Sequence, residues 1–119
     1  MNDMSSILTS IKKLLGIAEE YTHFDSDIIM HINSVFMILS QLGVGTDFHI
    51  EDDTTEWNEY LPESQLLSTI KSYMYLKVKL LFDPPISSAA IESMNRIISE
   101  FEWRINMTVE SEKVAAGGN

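Results

Sequence analysis

The sequence predicts an all-α protein, a small bundle of about four helices with a long acidic loop between helices two and three. Four segments place apolar residues at spacings of three and four, which is the period of an amphipathic helix. The stretch from Val44 to Glu63 breaks this period. With 119 residues, 45% of them hydrophobic, the chain can bury one core. We expect a single helical domain over residues 1–110 and a flexible tail over residues 111–119, where the period is lost.

The first helix is predicted from Ser5 to Leu15, and Gly16 follows it as a C-terminal cap. Its apolar residues share one face of the helix. They are Ile7, Leu8, Ile11, Leu14 and Leu15.

The second helix is predicted from an N-cap at Asp25 to a stop at Gly43. Its main apolar face consists of Ile28, Ile32, Val35, Phe36, Leu39 and Leu42. Met30, Met37 and Ile38 lie off that face and add a second apolar surface. We therefore assign these three residues to a contact between subunits.

The loop from Val44 to Glu63 carries many carboxylates and neither lysine nor arginine. A loop of about 20 residues in a small domain is usually either functional or disordered. Because uncompensated like charges disfavour a compact local fold, we expect the loop to be mobile in the isolated subunit and to order on assembly. A short strand pair around residues 48–50 and 56–60 is also compatible with the sequence.

The aromatic residues of this loop need a separate explanation. A tryptophan in a charged segment either folds back onto its own core or is reserved for a partner, and the sequence supports both interpretations of Trp57. We predict that Trp57 and Tyr60, together with the acidic residues Asp52, Asp53 and Glu56, contact a partner protein.

The third helix is predicted to begin near Pro62, which suits a first helical turn, and to end at Phe82. Its apolar face consists of Leu66, Leu67, Ile70, Tyr73, Met74, Val78 and Leu81. The turn that follows contains Asp83, Pro84 and Pro85. Since each proline fixes its own φ and donates no backbone hydrogen bond, we expect a rigid corner.

The fourth helix is predicted to start from a cap at Ser87 or Ser88. On its exposed face, Glu100 and Arg104 are placed to pair at the i, i+4 spacing, and the same spacing joins Glu92 to Arg96. Its buried face is predicted to contain Ile91, Met94, Ile98, Phe101, Ile105 and Val109.

The formal charge of -10 argues against a protein that wraps nucleic acid, because such binding depends on lysine and arginine displacing counterions. An acidic surface can also line a conduit and repel the DNA that passes through it, although composition does not distinguish this use from simple solubility. The absence of cysteine fits a reducing compartment, so we expect the cytoplasm of the producing cell.

No feature of the sequence predicts membrane insertion, catalysis or a cofactor. The longest apolar stretch, residues 28–42, is interrupted by polar residues and is shorter than the roughly 20 residues that span a bilayer. No nucleophile elbow or phosphate loop is present, so we do not expect an enzyme. His23, Asp27 and His31 have a metal-ligand spacing, but His23 precedes the predicted N-cap and is expected to lie outside the helix.

Two short motifs carry a resemblance to a known family. The run Leu80-Leu81-Phe82-Asp83-Pro84-Pro85, followed by Glu102-Trp103-Arg104, resembles the small head-tail connector (adaptor) proteins of tailed bacteriophages. The order of helices and the long loop extend the similarity over most of the chain.

The resemblance implies a virion protein at the junction of capsid and tail that is assembled in the host cytoplasm. Such subunits form a ring, typically of twelve copies, which docks under the portal protein and extends the DNA channel. The implied partners are other copies of the chain, the portal, and a tail or stopper protein, while DNA passes without sequence-specific binding. Two other classes remain open: an acidic helical regulator that binds a basic partner outside the virion, and a small helical enzyme subunit without its catalytic partner.

Overall fold

The computed structural model describes residues 5–61 and 66–115. Five helices lie within these ranges, and no strand does, so the all-α prediction is confirmed. The helices are α1 (Ile7–Leu15), α2 (Asp25–Gln41), α3 (Trp57–Tyr60), α4 (Leu66–Phe82) and α5 (Ser88–Ala115). The predicted strand pair is wrong, because residues 48–50 have no regular structure and the second half of the pair is the short helix α3. The predicted start of the third helix at Pro62 lies outside the described residues.

Helix α1 ends where the sequence predicts, but it begins at Ile7, two residues after the predicted start at Ser5. The Ser6 hydroxyl accepts a hydrogen bond from the Thr9 N–H at 3.2 Å, which satisfies one of the first amides of the helix. Gly16 ends the helix with φ at 82°, a conformation that glycine adopts without steric cost.

Helix α2 differs from the prediction at its start. Its N-cap is Phe24, and Asp25 is the first helical residue. Instead of capping the helix, the Asp25 carboxylate lies 2.8 Å from the Nζ atom of Lys12, whose side chain is 2% exposed. That ammonium group also donates to the carbonyls of Glu19 at 2.9 Å and Tyr21 at 2.8 Å. One buried lysine of α1 thus holds the connection between α1 and α2.

Helix α4 is the centre of the bundle and packs against α1, α2 and α5. Its predicted apolar face is buried except for Leu81, which is more than half exposed. At its end, the Phe82 ring meets Phe24 edge-on, with ring centroids 5.2 Å apart. This contact fixes the last turn of α4 against the entrance to α2.

The turn at residues 83–85 leads directly into α5. The Asp83 carboxylate accepts from Lys79 Nζ at 2.9 Å, and the Ser87 hydroxyl accepts from the Ala90 N–H at 3.3 Å as the cap of α5. The helix continues to Ala115, so residues 111–115 of the predicted tail are helical here. The remaining tail residues, 116–119, lie outside the described part of the chain.

Helix α5 is attached to the bundle mainly along its middle. Ile98 and Ile105 are buried, and the Glu102 carboxylate accepts from the Tyr73 hydroxyl of α4 at 2.7 Å. The predicted pair of Glu100 and Arg104 is present at 2.6 Å. At about 1.5 Å per residue, 28 residues give a helix roughly 42 Å long. Its last described residues, 110–115, are all exposed.

Candidate interaction surfaces

The apolar surface predicted on α2 is present for two of its three residues. Met30 is 58% exposed and Met37 is 62% exposed, and both project from α2 into solvent. Ile38 is only half-buried and packs against the core, so it belongs partly to the interior of the subunit. The assignment of this surface to a subunit contact remains a prediction.

The acidic loop is packed onto the bundle by its few apolar residues. Val44 and Ile50 are buried, and the Asn33 side chain of α2 holds Ile50 by two hydrogen bonds. The Asn33 amide donates to the Ile50 carbonyl at 2.9 Å, and its oxygen accepts from the Ile50 N–H at 2.8 Å. Our expectation that the loop has no compact local fold is therefore wrong, because these anchors offset the repulsion between its carboxylates.

Trp57 is a core residue. It is fully buried, and its indole N–H donates to the Ser10 hydroxyl at 2.7 Å. Its backbone N–H donates to the Ser5 carbonyl at 3.1 Å, and the Lys71 ammonium lies 5.5 Å from its ring centroid. Trp57 therefore folds back onto the core of its own subunit, as the first of the two interpretations has it. The predicted contact of this side chain with a partner is wrong.

Tyr60 is also buried, within a cluster formed with Phe36 and Phe48. The three rings have centroid separations between 4.6 and 5.0 Å. Burial raises the pKa of the Tyr60 hydroxyl above its usual value, since the phenolate would lose hydration. A Cβ atom on Gly45 would lie 2.8 Å from the Tyr60 ring, so only glycine lets the loop approach so closely. Because Tyr60 is buried in this cluster, its predicted contact with a partner is also wrong.

The charged residues of the loop remain on its surface. Asp52 and Asp53 are exposed, while Glu56 is half-buried and its N–H donates to the Glu59 carboxylate at the start of α3. Hydrogen bonds from the Thr54 hydroxyl and N–H lower the pKa of Asp52. Contact between these acidic residues and a partner remains a prediction, and it now rests on their charge alone.

An open pocket of about 310 Å³ lies between α2 and the start of the loop. Its apolar walls include Phe36, Met37 and Phe48, and polar side chains lie around them. Among the described residues, the lining consists of Asn33, Phe36, Met37, Ser40, Asp47, Phe48 and His49. The exposed Met37 of the predicted subunit contact is therefore one wall of a concave site.

The sequence-based predictions did not include the outer face of α5. Trp103 is 64% exposed. Met107, four residues later, and Val114, seven residues after Met107, lie on the same side of the helix and are also exposed. A signal was present in the sequence: Trp103 falls between Phe101 and Ile105 and off the face that they share. A large aromatic at such a position cannot be buried by its own subunit.

The candidate metal ligands do not form a site. His23 packs edge-on against Phe24 with centroids 4.8 Å apart, and His31 lies near Phe82. Within residues 5–61 and 66–115, no three His, Cys, Asp or Glu side chains are grouped so that they could hold a metal ion. None of the helices in those ranges is long and apolar enough to cross a membrane.

Comparison with known proteins identifies one family. The family described as phage connector protein matches residues 7–112, which includes all five helices almost to the end of α5. Neither a curated protein nor a solved structure matches the chain. The family match covers nearly the whole sequence and agrees with the resemblance carried by the Asp83-Pro84-Pro85 turn and by Glu102-Trp103-Arg104. The chain belongs to the phage connector protein family.

Proposed function

We propose that the protein is a structural head-tail connector, or adaptor, that assembles into a ring beneath the portal. The single observation that supports a ring is the presence of large apolar side chains outside an otherwise well-packed subunit. Met37 on α2 and Trp103 on α5 are each more than 60% exposed, although the subunit has a continuous buried core. Met30 is exposed two turns before Met37 on the same side of α2, and Met107 is exposed one turn after Trp103 on α5. Each helix thus presents a group of exposed apolar residues, which is typical of a protein contact.

The ring has a passive role toward DNA. It extends the portal channel and offers its other side as a platform for the tail or stopper protein. The net charge of -10 supports a channel that repels the phosphate backbone, so DNA passes without sequence-specific binding. The protein acts by shape and assembly, first in the host cytoplasm and then in the virion, and not as an enzyme.

Sedimentation velocity and electron microscopy of the pure protein over a range of concentrations test this function. The same measurements are made with the portal protein of the same phage added. We expect ring-shaped particles, either alone at high concentration or on the portal. A chain that stays monomeric under both conditions contradicts the proposal, and a chain that instead forms a one-to-one complex with a basic protein supports a regulator outside the virion.

A further inference from the structure

The structure suggests how neighbouring copies of the chain touch, an inference that rests on the proposed ring. A closed ring of identical subunits is held by head-to-tail contacts, which join two different surfaces of each subunit. The subunit therefore needs two unlike patches that fit one another. The outer face of α5 and the pocket beside α2 have this relationship.

The face on α5 is convex and carries the residue types that dominate binding energy at protein interfaces. Trp103 projects from it, and Met107 lies one turn further along. Arg96, one of the two arginines of the sequence, lies two turns before Trp103 on the same side of α5. Tryptophan and arginine are the residues most enriched at interface hot spots.

The site beside α2 is concave. Phe36, Met37 and Phe48 provide apolar walls, and Asp47 and His49 lie at its rim. Its volume of about 310 Å³ is at the small end of the ~300–1,000 Å³ typical of ligand pockets. It therefore suits one large inserted side chain better than an extended ligand.

Charge favours another copy of the chain as the occupant. Each subunit carries a net charge of -10, so two copies repel each other unless cations of one meet acids of the other. Arg96 is exposed on α5, the pocket is lined by Asp47, and the loop that contains Asp47 also carries the exposed acids Asp52 and Asp53. The loop from residue 44 to residue 61 contains no lysine or arginine that would compete for these carboxylates.

We infer that Trp103 of one copy inserts into the pocket between Met37 and Phe48 of the next copy. Arg96 then faces the acidic loop of that neighbour. The contact uses the α2 surface and the α5 surface of every subunit once, and it can therefore propagate around a ring.

Cross-linking tests the pairing directly, because the natural chain has no cysteine. Ser99→Cys, at an exposed position one turn before Trp103, and His49→Cys, in the pocket lining, are prepared separately, so that Trp103 and Met37 are kept. Each variant is treated with a short bis-maleimide reagent alone and in an equal mixture. A head-to-tail contact predicts covalent dimers in the mixture and their loss when either variant is treated alone. Dimers formed by Ser99→Cys alone, or no dimers under conditions where the natural chain forms rings, would overturn the contact.

A second experiment measures the contribution of Trp103. Trp103→Ala should weaken self-association roughly 30-fold per contact, the ~2 kcal/mol that defines a hot spot. Ile86→Ala is the matched control, since Ile86 is a fully exposed apolar residue in the turn before α5.

Rings that form normally with Trp103→Ala overturn the inference and leave the proposed connector function intact. If Trp103→Ala rings form normally but no longer bind the portal, this face serves the portal and the inference is equally wrong. If the natural chain forms no ring alone or on the portal, both the contact and the proposed function fail.

Discussion

The Asn33 side chain of α2 bonds both backbone polar groups of Ile50, with its amide donating at 2.9 Å and its oxygen accepting at 2.8 Å. Ile50 is 1% exposed, so these backbone groups have little access to water. The arrangement replaces the partner strand that an extended segment would otherwise need. It explains how an acidic loop lies on the bundle without forming a sheet.

Asn33→Ala should release the middle of the loop. The change leaves a buried donor and a buried acceptor of Ile50 unpaired, which costs about 1–3 kcal/mol of unfolding free energy. Denaturant unfolding measures the loss, and amide exchange should accelerate at Ile50 more than in α4. Ser34→Ala is the control, since Ser34 bonds only the Met30 carbonyl of its own helix on the exposed side. Equal exchange at Ile50 in both variants would show that the clamp does not order the loop.

Lys12→Met should destabilise the subunit although it replaces a charge with an apolar side chain of similar length. The ammonium group satisfies two backbone carbonyls and the Asp25 carboxylate, and all three lose their donor. We expect a loss of about 2–4 kcal/mol in unfolding free energy, because removing one member of a buried pair leaves the others uncompensated. Lys13→Met, at the neighbouring exposed position, should change stability little. A Lys12→Met variant as stable as the natural chain would contradict this role.

Tyr73 should make the free energy of unfolding fall as the pH rises into the alkaline range. Burial raises the pKa of its hydroxyl, and the hydrogen bond and negative charge of Glu102 raise it further. The contribution is fully present below the unfolded tyrosine pKa of about 10 and is lost as pH rises toward the higher folded pKa. Between these two pKa values, Tyr73 should lower the free energy of unfolding by up to ~1.4 kcal/mol per pH unit. The buried Tyr60 should contribute a similar slope.

Tyr73→Phe separates the two tyrosines. It should remove about half of the slope above pH ~10 and cost roughly 1–2 kcal/mol at neutral pH, since the bond to the Glu102 carboxylate is lost. Tyr21→Phe, at a half-exposed position, serves as the control. An unchanged slope in Tyr73→Phe would show that its hydroxyl titrates in the folded protein as it does in the unfolded chain.

Met37→Glu should abolish ring formation and leave the monomer folded. Met37 is 62% exposed, so the new carboxylate remains hydrated in the subunit but would be buried in the proposed subunit contact. Sedimentation velocity measures assembly, and the thermal midpoint and helical circular dichroism of the monomer should be nearly unchanged. Leu14→Glu, at a similarly exposed apolar position on α1, should not prevent assembly. A strongly destabilised Met37→Glu monomer would show instead that Met37 belongs to the subunit core.

The periodic part of the fold was predictable because each long helix carries its own apolar face. The spacing of Ile28, Ile32 and Leu39 is sufficient to define α2, and glycines at positions 16 and 43 mark two helix ends with positive φ. The loop was not predictable in this way. Its order depends on single contacts between distant residues, such as the Asn33 side chain with a backbone 17 residues away.

The candidate surfaces could likewise be predicted only in part from the sequence. Exposure of Met30 and Met37 follows from their positions off the main face of α2, and the sequence predicts it. Burial of Trp57 depends on the Ser10 hydroxyl of α1, which no local pattern reveals. Lys12 shows the same limit, since a lysine is expected at the surface until three oxygen atoms from the next connection surround it.

Electron cryomicroscopy of the chain bound to the portal protein of its own phage tests the central claim most directly. We predict a closed ring of subunits coaxial with the portal, with α2 of each copy facing α5 of the next and the channel continuing through the centre. A portal that remains bare at concentrations where the chain is in excess, or subunits bound singly without contact between them, would contradict the connector ring.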